Sequence, residues 1–238
     1  MDIQTRLFHL VAYARFGAVP MLRVYIEGDG HAWTDRFTPS DDPTPWKPLA
    51  LELAVRDLAP SVAYLGRPCQ YVASGSDPAC QRHYWTDGRY SEAAIASAHE
   101  AVDRLLAASG ARSLELVGYS GGGAVAALVA ARRHDVVSLR TVAANLDTAA
   151  WTAREGLAPL TGSLNPADFS DRLQNIAQIH FAGDADAVVH HSIARSYEGH
   201  FRRLDCIRTI VLPSVGHAEG VLPLWPDLLR LPIGCTDK

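Results

Sequence analysis

Leu114-Glu115-Leu116-Val117-Gly118-Tyr119-Ser120-Gly121-Gly122-Gly123 runs from an alternating apolar stretch straight into a serine set among glycines. The alternation predicts a strand over 114–117, and the small-residue run after the serine predicts a helix over 121–133 able to pack tightly on a sheet. Gly118 to Gly122 satisfies G-x-S-x-G, a weak pattern alone that gains meaning between a strand and a helix. The turn is so tight that the serine must adopt a strained backbone, and glycines on both sides avoid clashes with it. The hydroxyl then stands above the sheet edge, at a helix N-terminus whose free N–H groups favour a developing oxyanion. The plain alternative is a glycine-rich turn that happens to contain a serine.

A serine hydroxyl is a poor nucleophile near neutral pH and needs a base and a group that orients the base. Two later segments supply candidates. Strand-like residues 176–182 are followed by Gly183-Asp184-Ala185-Asp186-Ala187-Val188-Val189, and strand-like residues 207–212 by Pro213-Ser214-Val215-Gly216-His217. An acid and then a histidine therefore follow the serine in chain order, each after a strand. His190 and His191 lie nearer the acids but read as rim residues at the start of a helix over 190–201.

The rest of the chain alternates in the same way. Residues 5–14 and 21–26 read as strands of a hairpin turning at Phe16-Gly17-Ala18-Val19-Pro20. Residues 46–58 read as a helix with Trp46, Leu49, Ala50, Leu53 and Ala54 on one face, and 61–65 as a short buried strand. Ser91 is placed to cap a helix carrying Ile95, Ala98, Val102 and Leu105, with Gly110 ending it. Residues 136–144 read as a strand, 149–171 as irregular and 224–229 as a short final helix. Strands alternating with helices predict an α/β architecture, a mostly parallel sheet covered on both faces.

With 238 residues, 48% hydrophobic and 20% charged, the chain suits one large core, read as a single domain over 1–238. The net charge of -4 and the lack of a dense Lys/Arg run argue against a nucleic-acid partner. No apolar run approaches the roughly 18 residues of a membrane span. The opening MDIQTRLFHL has no apolar signal core, so the chain as written reads as cytoplasmic. Cys69 and Cys80 bracket the polar loop CQYVASGSDPAC. They are either reduced thiols or a disulfide whose loop closure contributes roughly 3 kcal/mol; Cys206 and Cys235 form a second possible pair. Either bond implies an oxidising compartment, at odds with the missing leader. No cysteine or histidine cluster has zinc-ligand spacing, so no metal is expected.

GYSGG, GDADAVV and VGH together resemble the nucleophile, acid and histidine segments of the α/β-hydrolase superfamily. The acid segment of that family commonly reads G-x-x-D-x-x-V, which selects Asp186 and leaves Asp184 as a turn residue. The resemblance implies Ser120 as nucleophile, His217 as base and Asp186 as its orienter. Tyr25-Ile26-Glu27-Gly28-Asp29-Gly30 resembles the family's strand followed by His-Gly-x-Gly, with Glu27 where histidine is common. By that match the oxyanion hole uses the backbone N–H groups of Gly121 and Asp29, and Gly28 permits the close approach. An aspartate there is a departure, and its carboxylate must turn away, because a negative charge opposes an oxyanion. VYIEGDG, RPCQY, YWTDGRYS, LVGYSGGGAVAAL, NLD and GSLNPAD extend the resemblance to a little-characterised bacterial group of these hydrolases. Many of its members are made as exported lipoproteins, which implies a periplasmic or anchored protein if the sequence starts after a leader.

The implied activity is hydrolysis of a small-molecule carboxylic ester through an acyl-enzyme, with no cofactor. Amide cleavage and acyl transfer use the same constellation, and a non-catalytic binding module on the same scaffold is the alternative of another class. Residues 145–171 are expected to form at most a short cap. Gly28, Tyr119, Asn145 and Trp151 are candidate pocket residues, with Leu157, Leu160 and Leu164 beside them. Asp147 is a candidate for the cleft or for a turn. Tyr71, Tyr84 and Trp85 are candidates for the opposite wall.

Overall fold

A computed structural model describes residues 1–73 and 77–236. Its strands are β1 (Asp2–Gln4), β2 (His9–Arg15), β3 (Met21–Ile26), β4 (Val62–Leu65), β5 (Ser113–Tyr119), β6 (Val136–Val142), β7 (Ala177–Gly183) and β8 (Ile207–Leu212). They form one eight-stranded sheet in the order β1-β2-β4-β3-β5-β6-β7-β8. From β4 through β8 every pairing is parallel, whereas β2 runs antiparallel to both β1 and β4.

The expected hairpin between residues 5–14 and 21–26 does not form. β2 pairs with β1 and β4, and β4 lies between β2 and β3. Burial explains the exchange. On β3, Leu22, Val24 and Ile26 pack into one apolar cluster and Tyr25 into the other. A strand buried on both faces belongs in the parallel interior. On β2, Leu10 and Ala12 are buried while His9 and Tyr13 are exposed, a pattern suited to the sheet margin.

Helices cover both faces. α2 (Glu92–Ser109) and α3 (Gly121–Ala130) pack on one side; α1 (Leu49–Arg56) and α7 (Val221–Arg230) pack on the other. α4 (Thr148–Glu155), α5 (Ser170–Leu173) and α6 (Ser192–Glu198) complete the α-helices among the described residues, and short 3-10 turns lie at Arg82–Trp85 and Pro166–Phe169. α2 starts where expected, with the Ser91 hydroxyl accepting from the Ala94 N–H, and ends at Gly110 with φ 70°. α1 is shorter than the 46–58 reading. Pro48 holds the residue before it extended, so the helix begins at Leu49 and Trp46 lies outside it, 82% exposed. Residues 149–171 are not simply irregular: the Asp147 carboxylate accepts from Ala150 N and caps α4, which Gly156 ends at φ 61°.

β5 carries a charge that alternation alone would put in solvent. Glu115 is buried and accepts from Arg23 at 2.9 Å; it also pairs with Arg140 of β6. Arg23 donates to Asp57 at 2.6 Å, Tyr25 Oη donates to Asp57 at 2.7 Å, and Trp225 Nε1 donates to Tyr25 Oη at 3.2 Å. This network ties α7 and the end of α1 to the sheet face, since a buried charge must be paired to be tolerated. Cys69 pairs with Cys80 and Cys206 with Cys235, so both possible disulfides are present. No helix among the described residues is long and apolar enough to cross a membrane.

Candidate active site

β5 ends at Tyr119 and α3 begins at Gly121, leaving Ser120 alone at the turn with φ 51° and ψ -124°. This is the strained conformation expected from the sequence, in a φ region that side-chain-bearing residues rarely adopt. Backbone bonds hold it: Ser120 N donates to Val142 O at 2.9 Å, and Ser120 O accepts from Gly123 N at 2.9 Å and Asn145 N at 3.3 Å. The flanking glycines are required by close approach. A Cβ on Gly118 would lie 2.4 Å from Gly122 O, and one on Gly122 would lie 2.2 Å from Ile26 O.

Beyond β7, Asp186 Oδ1 accepts from Val188 N and Val189 N, each at 2.8 Å. Its other oxygen is 2.9 Å from His217 Nδ1, and His217 Nε2 is 3.0 Å from Ser120 Oγ. A carboxylate can only accept, so Nδ1 carries the proton and Nε2 is left to accept from the serine hydroxyl. Burial raises the Asp186 pKa, but the hydrogen bonds from His217 and the two valine N–H groups outweigh it and the net shift is downward. Asp186 therefore stays ionised beside the imidazole. Asp184 instead accepts from Ser214 N at 2.7 Å in the neighbouring turn. His190 bonds Ser192 at the entry to α6, away from Ser120.

The loop after β3 lies against this turn. A Cβ on Gly28 would be 3.3 Å from Ser120 Cβ, and one on Gly121 would be 2.0 Å from Asp29 Oδ1. Among the described residues, neither Gly121 N–H nor Asp29 N–H has a hydrogen-bond acceptor. The Asp29 carboxylate is held by Arg89 Nη1 at 2.7 Å, Arg67 Nη1 at 3.1 Å and Tyr90 Oη at 3.1 Å. Burial raises the Asp29 pKa, and the two guanidinium groups more than offset it, leaving it lowered. Two cations face one anion, so the departure from the family pattern carries its own compensation. Gln70 Nε2 donates to Gly28 O at 2.9 Å and steadies the loop from behind.

Arg67, Gln70, Arg89 and Tyr90 were not predicted as site residues. They sit in the RPCQY and YWTDGRYS runs, inside a long aperiodic stretch. The usable signal is Asp29 itself, because a buried acid demands a cation nearby. Glu27 stands where the resembled pattern commonly has histidine. It is buried, its Oε1 accepts from Gly28 N at 2.9 Å, and burial pushes its carboxyl up to about 7 despite that bond.

The serine opens into a cleft of about 1090 Å³. Tyr119, Asn145 and Trp151 line it, as do Leu157 and Leu160; Gly28 lies just behind, against the Tyr119 ring. Leu164 packs into the core instead, and Asp147 is occupied with capping α4 and accepting from Ser196. Tyr71, Tyr84 and Trp85 do not form the opposite wall. Tyr71 bonds Tyr64, Tyr84 packs on Phe8, and Trp85 is buried with Nε1 on Ser40 O. Residues 30–47 supply that wall, through Trp33, Phe37 and Trp46.

No protein-family model matches the sequence, and no curated protein matches it. Solved structures do resemble it. Est1E from Butyrivibrio proteoclasticus is 14% identical with a TM-score of 0.65, over 97% of this chain and 95% of that one. An α/β serine hydrolase without lid from Xanthomonas campestris is 13% identical with a TM-score of 0.61, over 100% and 95%. An esterase from Pyrococcus furiosus is 11% identical with a TM-score of 0.66, over 97% and 87%. Such low identities speak to architecture alone. Together with the strand order, the matches establish that this chain has the α/β-hydrolase fold with a minimal cap.

Proposed function

We propose that the chain is a serine hydrolase that cleaves a small-molecule carboxylic ester through an acyl-enzyme on Ser120. The observation that carries this reading is the hydrogen-bonded series Ser120 Oγ, His217 Nε2, His217 Nδ1 and Asp186 Oδ2, at 3.0 Å and 2.9 Å. Similarity of fold to an esterase and to a serine hydrolase adds support.

In the first half-reaction Ser120 Oγ attacks the ester carbonyl carbon while His217 Nε2 takes the hydroxyl proton. Asp186 stabilises the imidazolium that results and keeps the ring in the required tautomer. The carbonyl oxygen becomes an oxyanion and receives hydrogen bonds from the N–H groups of Gly121 and Asp29, which are free to donate. Collapse of the tetrahedral adduct breaks the bond to the alcohol oxygen, and His217 gives its proton to that oxygen. Water then repeats the sequence on the acyl-serine, with His217 as base, and releases the acid. Tyr119, Asn145 and Trp151 are the residues proposed to contact the substrate. Tyr119 stays neutral because burial raises its pKa.

The test is covalent labelling by a fluorophosphonate, joined to an ester screen across chain lengths. Ser120 should carry the adduct, and Ser120→Ala should lower kcat by about 10⁴-fold or more. Near wild-type turnover by that variant, or folded protein that takes no adduct, would reject the reading.

A further inference from the structure

Three of the aromatic side chains that line the cleft keep much of their surface in water. Trp46 and Phe37 are each 82% exposed and Trp33 is 38% exposed. Aromatic side chains bury large areas when they pack, so three left open around one cleft forgo stabilisation that the core would have supplied. We propose that they form an aryl subsite, and that the substrate is an ester bearing a planar aromatic group away from its scissile carbonyl. This deepens the hydrolase reading and rests on it for the position of the reacting carbonyl.

The platform is built in advance of any ligand. Trp33 and Pro39 form a bridge, Ser40 N donates to Ala32 O at 3.0 Å, and Thr34 N donates to Thr38 O at 2.9 Å. His31 stacks on Trp46 with ring centroids 4.1 Å apart and planes at 27°. The Arg36 guanidinium lies 5.9 Å from the Phe37 ring centroid and covers one face of that ring. Tyr71 N donates to Thr44 Oγ1 at 2.7 Å, and Trp85 Nε1 donates to Ser40 O at 3.0 Å, fastening the segment to the body of the protein. A segment whose backbone is held in this way, with His31 against one face of Trp46, leaves less to order when a ring docks. Trp151 and Leu157 line the same cleft, and its volume of about 1090 Å³ far exceeds what a short aliphatic ester fills.

Two other occupants fit less well. Sugar rings need hydroxyl-binding side chains beside the aromatic face. Here Asp35 Oδ1 accepts from Phe37 N and Thr38 N, Asp42 Oδ1 accepts from Thr44 N, and Asp41 pairs with Arg82. An anionic lipid surface needs surplus positive charge, yet residues 28–47 contain four aspartates against Arg36 and Lys47. Beside Asp35, Arg36 and Lys47, the segment's large exposed surfaces in the cleft are the rings of Trp33, Phe37 and Trp46.

The test compares naphthylmethyl acetate, with the ring on the alcohol, and methyl naphthylpropanoate, with the ring on the acyl group, against butyl acetate and methyl hexanoate. One naphthyl ester should exceed its ring-free counterpart in kcat/KM by about tenfold or more, mainly through KM. The Phe37→Ala/Trp46→Ala double variant should abolish that preference, and Phe37→Tyr/Trp46→Phe should retain most of it. Esters cleaved without preference, or a preference untouched by the alanines, would overturn the subsite and leave the hydrolase reading intact. Fluorescence titration of Ser120→Ala with the same naphthyl esters reads the subsite without turnover. Binding lost on adding the two alanines, with no ester cleaved by the wild type, would keep the subsite and reject the hydrolase. No binding in either background would reject the subsite.

Discussion

Arg89 Nη1 lies 2.7 Å from Asp29 Oδ2, and this contact sets the charge behind one of the two proposed oxyanion donors. Arg67 reaches the other carboxylate oxygen, so two guanidinium groups surround one carboxylate with a net charge of one positive unit. The Asp29 backbone N–H can face an oxyanion only if the charge of its own side chain is neutralised. Arg89 also donates to Thr86 O at 2.6 Å, which fixes its side chain independently of Asp29.

Removing that cation should therefore harm chemistry more than substrate binding. Arg89→Met is expected to lower kcat by about tenfold to a hundredfold with little change in KM, since loss of alignment acts on the transition state. Arg89→Lys should recover part of the loss. Asp29→Asn keeps the N–H donor and removes the anion, so the Asp29→Asn/Arg89→Met pair should be more active than Arg89→Met alone. A double variant no better than Arg89→Met would show that charge at Asp29 is not what Arg89 controls. Steady-state kinetics on all four forms completes the cycle.

The elbow and the two strand ends were legible because each rests on local pattern. Ser120 needs glycines within two residues, and Asp186 and His217 need only to follow β7 and β8. The parallel interior was legible from apolar runs, but the order of its first strands was not. Whether β2 pairs with β3 or β4 depends on which strand must be buried on both faces, a tertiary matter that adjacency in sequence does not report. The Asp29 cluster was hidden for a related reason. Arg67 and Arg89 lie in aperiodic segments, where arginines are usually solvated, and only the fold carries them to a carboxylate 38 and 60 residues earlier. Glu115 misleads in the opposite direction, because its charge breaks an apolar run and yet it is buried against Arg23 and Arg140.

Glu27 should make stability depend on pH. Its folded-state pKa is raised from 4.5 to about 7, chiefly by burial. The native protein thus holds a proton there that the unfolded chain has released. That contribution is fully present below about pH 4.5 and is lost as pH rises through about 7. Glu27→Gln keeps an acceptor for Gly28 N without the charge, so its melting temperature should exceed that of the wild type above neutrality. The difference should shrink toward zero in mild acid. By linkage the gain at alkaline pH is at most on the order of 3 kcal/mol. Thermal melts of both forms across the pH range provide the measurement, and parallel curves would contradict the assignment.

The two disulfides should differ in what they protect. Cys69–Cys80 closes an 11-residue separation, and Cys69 stands between Arg67 and Gln70, which hold Asp29 and Gly28 from behind. Cys206–Cys235 spans 29 residues and ties the C-terminal segment beside the start of β8, at the end of that strand away from Ser120. By loop-closure entropy each contributes about 3 kcal/mol to stability, with the longer loop slightly ahead. Only the first lies beside the residues that hold the loop proposed to supply the Asp29 donor. Cys69→Ser/Cys80→Ser should therefore lower both the melting temperature and kcat, while Cys206→Ser/Cys235→Ser should lower the melting temperature and leave kcat near wild type at a temperature where it is folded. Equal losses of kcat in the two variants would mean that the segment from Arg67 to Gln70 supports the site no more than the C-terminus does. Mild reductant titrated against activity, with free thiols counted at each step, makes the same comparison without mutation.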